Sequence, residues 1–146
     1  KIIQEIYEYI FNVKGKKTRA LLCLLASKSS DIKPKNRIAL ASIIELLHTA
    51  TLVHDDVVDS SQTRRGAASV NNIWTNSHSV LIGDYIYSKA FMLMVELNDM
   101  RILKELSNAT NEISKGELIQ LDGINNINIS LCYFQIISIC IICITD

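Results

Sequence analysis

The segment 37–59 constrains the fold most, because it contains neither glycine nor proline and is rich in alanine, leucine and isoleucine. This composition predicts one long helix. The whole chain of 146 residues has one proline and five glycines. So few helix-breaking residues favour long helices over a β protein with many turns. No run of alternating apolar and polar residues is long enough to predict the strands of a sheet. The sequence therefore predicts an all-α fold.

Four further segments have the periodicity or composition of helices. Apolar residues at helical spacing predict an amphipathic helix that ends near Asn12. A second helix, at residues 19–28, is apolar nearly all round and is predicted to be buried. We expect two more helices at residues 79–97 and 100–121, separated by a break at Asn98 and Asp99. Residues 60–77 are polar and predict a loop that contains a short helix.

The last segment, residues 124–146, differs from the rest in being rich in isoleucine, asparagine and cysteine. We therefore divide the sequence into residues 1–123 and a divergent tail. The apolar run of the tail is about 14 residues long, shorter than the roughly 20 of a membrane span, so we expect no transmembrane segment. Two interpretations of the tail are kept. It forms a buried helix or strand, or it is a non-native end from a truncated reading frame. Cys140 and Cys143 form a CxxC pair, which alone is weak evidence for zinc.

Charge and cysteine content exclude several classes of protein. Fifteen basic and fifteen acidic residues give a net charge of zero, so nothing in the overall charge predicts a nucleic-acid partner. Four scattered cysteines do not form a disulfide framework, which favours a reducing, cytoplasmic location. The first residues lack a signal-peptide cleavage pattern, and the absence of an initial methionine predicts further sequence upstream.

Three aspartates lie at the end of the long predicted helix. Asp55 and Asp59 are four residues apart, so both carboxylates project from one face, and Asp56 is adjacent. Two carboxylates about 5 Å apart repel by roughly 3 kcal/mol at an effective dielectric of 20. A bound Mg²⁺ that takes its remaining ligands from water and phosphate oxygens would explain this cluster. The alternative is a solvated acidic helix end, although acids near a helix C-terminus oppose the helix dipole.

Two arginines follow the acidic cluster. Arg64 and Arg65 lie in a loop that ends at Gly66, free to fold back toward the aspartates. Arginine is the side chain best suited to bidentate contact with phosphate. The pair therefore predicts a diphosphate-binding segment beside the metal site.

A second basic group lies near the N-terminus. Lys16 and Arg19 are three residues apart at the start of a predicted helix, which is a favourable place for an anion, and Gly15 is expected to free the backbone there. His48 lies two helical turns before Asp55 on the same face. Together with the aspartates and the two arginines, these residues predict one cavity with a metal-binding wall and two cationic patches. The sequence has no Ser/His/Asp or Cys/His arrangement for covalent catalysis.

Four stretches, "GKKTRA", "ELLHTATLVHDDVVDSSQTRRG", "SVLIGDYIYSKAF" and "GELIQL", resemble the trans-type polyprenyl diphosphate synthases in order and spacing. The resemblance is to the octaprenyl and solanesyl diphosphate synthase group, and it covers about residues 15–121. It implies the N-terminal half of an all-α isoprenoid-synthase bundle. It also implies Mg²⁺-dependent, head-to-tail condensation of isopentenyl diphosphate with an allylic prenyl diphosphate.

The resemblance also implies roles for single residues. It assigns isopentenyl diphosphate to Lys16, Arg19, His48 and Arg65. It assigns Mg²⁺ to Asp55 and Asp59, with Asp56 supporting them, and the allylic diphosphate to Arg64. Lys17 and Ala20 stand where the family motif has arginine and proline, and neither change removes a phosphate-binding residue.

The length of the product is expected to depend on residues just before the first aspartate. Ala50 and Thr51 lie five and four residues before Asp55 and are small. Aromatic side chains there would close a tunnel for the growing chain near its diphosphate. Small ones leave the tunnel open, so we expect a long polyprenyl product.

The family uses a second aspartate-rich motif downstream, and this sequence contains no second DDxxD. We therefore expect the 146-residue chain alone to be nearly inactive. Three hypotheses remain: a synthase represented by a fragment or degraded gene, a non-catalytic partner subunit of a complete synthase, or an unrelated helical protein with a chance motif. Family resemblance implies a homodimer, or pairing with a full-length synthase.

Overall fold

The computed structural model describes residues 1–13, 15–28 and 32–123. The elements in chain order are α1 (Ile2–Asn12), α2 (Thr18–Lys28), α3 (Pro34–Val58), β1 (Thr63–Arg64), β2 (Ala67–Ala68), α4 (Val70–Ile73), α5 (Asn76–Leu97) and α6 (Met100–Gly123). The predicted all-α fold class is confirmed, with one two-stranded hairpin that the sequence analysis missed. The predictions for the tail, including the CxxC pair, lie outside the described residues.

The helices begin and end where local chemistry dictates. Pro34 occupies the first turn of α3, where its missing N–H leaves no hydrogen bond unmade. Asn98 ends α5 in the left-handed conformation with φ of 53°. Asp99 then caps α6, because its Oδ1 accepts a hydrogen bond of 2.9 Å from the backbone N–H of Arg101. The predicted break between these two helices is therefore confirmed.

The chain divides into two compact units, residues 1–97 and residues from 98 onward. The core of the first unit is centred on α3, which packs against α5 and α2. Ile43 and Ala50 of α3 and Ile86 of α5 are fully buried. Gly83 of α5 faces the end of α3, since a Cβ there would overlap the imidazole of His54. The absence of a side chain at Gly83 therefore leaves room for His54 between the two helices.

The second unit contains α6, which is amphipathic. Polar and charged residues occur along its whole length, and the hydroxyls of Thr110 and Ser114 donate hydrogen bonds to carbonyls three and four residues earlier in the helix. None of the residues predicted to bind substrate or metal lies in α6, so the site is a property of the first unit.

The prediction that α2 is buried all round is wrong. Only Cys23 and Ser27 of this helix are buried, whereas Leu21, Leu22 and Leu25 are more than half exposed. Within the first unit α2 packs mainly on α3, which covers a single face of the helix. The burial of Cys23 raises the pKa of its thiol.

Among the described helices, α3 is long and apolar enough by length and composition to cross a membrane. A helix at the centre of a folded core has the same composition. In the first unit, nine residues of α3 between Leu40 and Asp56 are buried, as in a core helix.

Candidate functional site

A short hairpin after α3 sends the two adjacent arginines to different surroundings. β1 pairs with β2 so that Arg64 lies opposite Ala67, which leaves Arg65 and Gly66 as the two turn residues. Their φ values of 53° and 79° are both positive, as in a type I′ turn. Because of this turn, Arg64 faces the acidic end of α3 and Arg65 reaches the N-terminal segment before α2.

Asp56 is the buried member of the acidic cluster. Its residue is 3% exposed, and its Oδ1 accepts a hydrogen bond of 2.8 Å from Nε of Arg64. The backbone carbonyl of Asp56 accepts hydrogen bonds from the N–H of Ser61 at 2.9 Å and from Nδ2 of Asn71 at 3.1 Å. The last turn of α3 therefore binds the following loop through both the side chain and the backbone of one residue.

Asp55 and Asp59 lie one helical turn apart at the end of α3. Asp59 is the C-cap residue in helical conformation, and its N–H donates a hydrogen bond of 2.8 Å to the carbonyl of Asp55. Asp55 is half-buried and Asp59 is exposed. Both carboxylates are therefore at the unfavourable end of the helix dipole, where a cation would stabilise them.

The carboxylates of Asp55 and Asp59 are suitable ligands for Mg²⁺, which prefers carboxylate oxygens in proteins. Within the described ranges, no group of three or more His, Cys, Asp or Glu side chains is placed to hold a metal ion. Asp55 and Asp59 could thus supply two ligands, with water and phosphate oxygens as the others.

A cavity of about 540 Å³ lies at the N-terminus of α2. Its walls come from the segment before α2, the middle of α3 and the hairpin turn. The lining residues are Gly15, Lys16, Lys17, Thr18, Arg19, Glu45, His48 and Arg65. The four residues that the sequence analysis assigned to isopentenyl diphosphate all lie in this cavity; their binding roles stay predictions.

His48 is neutral in this cavity. Burial lowers its pKa most, and the charge of nearby Arg19 lowers it further, to about 4. Nη1 of Arg19 lies 3.1 Å from Nε2 of His48. Since a guanidinium only donates, Nε2 is the acceptor and the imidazole proton is on Nδ1. His48 therefore orients Arg19, and the positive charge of the cavity comes from its lysines and arginines.

Two further cavity residues, Lys17 and Glu45, form an ion pair that was not predicted from the sequence. Nζ of Lys17 lies 3.0 Å from Oε1 of Glu45, and also 5.6 Å from the ring centroid of Phe11. Glu45 is three residues before His48, a spacing that places both on one face of α3 and offered a signal for this contact. The ion pair compensates Lys17, so among the described lining residues Lys16, Arg19 and Arg65 are the other cations that an anion could contact.

Gly15 lies directly against the hairpin turn, while its expected role in freeing the backbone stays a prediction. A Cβ at Gly15 would overlap the guanidinium of Arg65. The arginine of the hairpin turn therefore packs directly against the backbone at Gly15, and a side chain there would displace its guanidinium.

Comparison with known proteins decides the family. A sequence model of the polyprenyl synthetase family matches residues 1–139. The chain belongs to the polyprenyl synthetase family. This match is wider than the 15–121 range that the motifs indicated.

Individual relatives agree with this family. The octaprenyl diphosphate synthase of Escherichia coli (strain K12) is 39% identical over 130 residues, which cover 89% of this chain and 40% of the relative. The all-trans-nonaprenyl-diphosphate synthase (geranyl-diphosphate specific) of Rhodobacter capsulatus is 44% identical over 123 residues, or 84% of this chain and 38% of the relative. The chain thus spans about 40% of the length of these relatives.

Solved structures show the same helical fold. The polyprenyl synthase of Caulobacter crescentus, crystallised with calcium and isoprenyl diphosphate, superimposes with a TM-score of 0.82 and 40% identity. That match covers 87% of this chain and 39% of the other. The heptaprenyl diphosphate synthase of Staphylococcus aureus has a TM-score of 0.89 over 99% of this chain and 48% of its own, at 24% identity, which supports the fold alone.

In this member of the polyprenyl synthetase family, the two residues predicted to control product length differ in exposure. Ala50 is fully buried in the core. Thr51 is half-buried, and its hydroxyl donates a hydrogen bond of 2.9 Å to the carbonyl of His48. Their role in product length stays a prediction.

Proposed function

We propose that this chain forms the substrate-binding part of a prenyltransferase that condenses isopentenyl diphosphate head-to-tail with an allylic diphosphate to give a long-chain polyprenyl diphosphate. One observation carries the proposal. A single hairpin turn joins the acidic end of α3, through Arg64, to the basic cavity at α2, through Arg65. Two diphosphates held on either side of this hairpin would be brought close together, as condensation requires.

Isopentenyl diphosphate is assigned to the basic cavity. Lys16, Arg19 and Arg65 line this cavity and would contact its diphosphate, and the N-terminus of α2 would add backbone N–H groups. The ion pair of Lys17 with Glu45 and the contact of His48 with Arg19 fix the walls of the cavity. A preorganised site of this kind binds an anion without first reordering its own side chains.

The allylic diphosphate is assigned to the acidic end of α3. Mg²⁺ bound there would neutralise charge on the departing diphosphate. Asp55 and Asp59 would hold the metal, and Arg64 would contact the diphosphate oxygens. With its charge stabilised, the diphosphate leaves, the allylic C–O bond ionises, and the double bond of isopentenyl diphosphate attacks the carbocation. Loss of a proton to the released diphosphate completes the step, so no protein nucleophile is needed.

The chain supplies one aspartate-rich motif, so we propose that turnover requires further residues equivalent to the rest of its longer relatives. A homodimer or a complex with a full-length synthase is proposed as the assembly. A reducing, cytoplasmic setting is proposed from the cysteine pattern.

A chimera tests the function directly. Residues 1–123 are joined to the C-terminal part of the octaprenyl diphosphate synthase from Escherichia coli, and condensation is followed with labelled isopentenyl diphosphate and geranyl diphosphate. We expect Mg²⁺-dependent polyprenyl product from the chimera, and almost none from the 146-residue chain. The matched control carries Asp55→Ala and Asp59→Ala. A folded chimera that makes no product, or equal product from the control, contradicts the proposal.

The partner-subunit hypothesis is separated in the same assay. The 146-residue chain, with or without both aspartate substitutions, is added to a full-length synthase. An increase in product that survives the substitutions identifies a non-catalytic partner. The proposed function predicts no such increase.

A further inference from the structure

The three aspartates at the end of α3 have different environments, which points to different roles. Asp59 is exposed and Asp55 is half-buried, so solvent or a ligand can reach both. The Asp56 side chain is only 4% exposed, and its Oδ1 is occupied by Arg64. A metal ion that keeps part of its water shell has little access to a carboxylate in this position.

Arg64 uses one edge of its guanidinium to contact Asp56. Nε is the donor to Oδ1 at 2.8 Å, and the side chain is about one-third exposed. Within the described part of the chain, no side chain or carbonyl accepts a hydrogen bond from its terminal nitrogens Nη1 and Nη2. Because the guanidinium is planar and rigid, fixing Nε also fixes the direction of the two terminal nitrogens.

The loop around Arg64 is fixed at the same residue. The carbonyl of Asp56 accepts from Ser61 and Asn71, and the carbonyl of Ser61 accepts from Nδ2 of Asn71 and from Oγ of Ser69 at 2.6 Å. The base of the hairpin is thereby tied to the last turn of α3. The position of Arg64 is set through its backbone as well as through its side chain.

We propose that Asp56 is a positioning residue that holds Arg64 by Nε so that Nη1 and Nη2 face an allylic diphosphate, and that it is not a metal ligand. The inference rests on the proposed function, since it assigns a diphosphate to the site of Arg64. It divides the acidic cluster into two carboxylates that hold a metal, those of half-buried Asp55 and exposed Asp59, and the buried carboxylate of Asp56, which acts through an arginine.

Calorimetric binding of geranyl diphosphate to the 146-residue chain, with and without Mg²⁺, distinguishes the two roles. Asp56→Asn keeps the size of the side chain and removes its charge. It is expected to weaken binding about tenfold in both conditions, as for loss of one charge-assisted hydrogen bond. The matched substitution Asp55→Asn is expected to remove only the increase in affinity that Mg²⁺ provides.

A double substitution tests whether Asp56 acts through Arg64. In the Arg64→Gln background, Asp56→Asn is expected to cause no further loss of affinity, whereas independent roles would give additive losses. Additive losses, or a loss confined to the Mg²⁺-dependent part, overturn the inference.

A second variant applies if Asp56→Asn does not fold, as judged by circular dichroism. Arg64→Lys keeps the charge but has a single nitrogen, which cannot serve Asp56 and a diphosphate in the same way. We expect the same metal-independent loss, and wild-type affinity would overturn the inference. If the wild-type chain binds no geranyl diphosphate with or without Mg²⁺, the result contradicts the proposed function itself, and this inference with it.

Discussion

The neutral state of His48 makes stability depend on pH in a defined direction. Its folded-state pKa is about 4, against an ordinary value of 6.5, chiefly because the imidazole is buried and secondly because Arg19 is close. Between these values the unfolded chain takes up a proton that the folded chain does not. The contribution of His48 to stability is therefore complete above pH 6.5 and is lost as the pH falls toward 4.

The size of the effect follows from the gap between the two pKa values. At 1.36 kcal/mol per unit the gap corresponds to about 3 kcal/mol. Because the imidazole is only partly buried, solvent screening reduces this figure, and we expect a loss of about 1 kcal/mol between pH 7 and pH 5. His48→Gln removes the titrating group while its amide oxygen can still accept from Arg19.

Urea unfolding followed by circular dichroism at the two pH values measures this loss. The free energy of unfolding of the wild type should fall more between pH 7 and pH 5 than that of His48→Gln, by about 1 kcal/mol. His78→Gln is the matched control, since His78 is exposed and does not line the cavity. Identical pH dependence of the wild type and His48→Gln would refute the reasoning.

Three further substitutions test the packing around the site. Gly15→Ala places a Cβ against the guanidinium of Arg65 and should weaken isopentenyl diphosphate binding about tenfold in calorimetry. Stability should be nearly unchanged, and unaltered affinity would contradict this prediction. Gly83→Ala should lower the free energy of unfolding by about 1–3 kcal/mol in urea, because its Cβ overlaps His54; an unchanged midpoint would contradict it. Ala50→Phe in the active chimera should shorten the product on chromatography, and an unchanged chain length would dispose of the tunnel hypothesis.

The sequence predicted the helices well and their first turns less well. The predicted ends at Asn12 and Leu97 agree with α1 and α5. The starts of α3 and α5 were each placed three residues late, because polar residues fill the first turn of both helices. Pro34 in the first turn of α3 was the available signal.

Features that depend on tertiary contacts were harder to predict. The composition of α2 could not show that only one of its faces is covered. The hairpin was missed because each strand has two residues, and its only local signal is the turn at Arg65 and Gly66.

The candidate site was predicted as a set of residues but not as a set of contacts. The family resemblance grouped Lys16, Arg19, His48 and Arg65, and all four line the cavity at α2. The pairing of Asp56 with Arg64 depends on how the hairpin folds back, and partner choice of this kind follows from packing in three dimensions. Spacing along the chain therefore identified the charges, whereas only the structure shows which of them are already compensated.

The most direct test of the account is calorimetric titration of the 146-residue chain with a prenyl diphosphate. The account predicts binding that is strengthened by Mg²⁺, and loss of that strengthening when Asp55 and Asp59 are both replaced by alanine. The folded state of the double variant is checked by circular dichroism. Binding that Mg²⁺ does not affect, or a Mg²⁺ effect that survives both substitutions, would contradict the claim that the acidic end of α3 holds diphosphate through a metal.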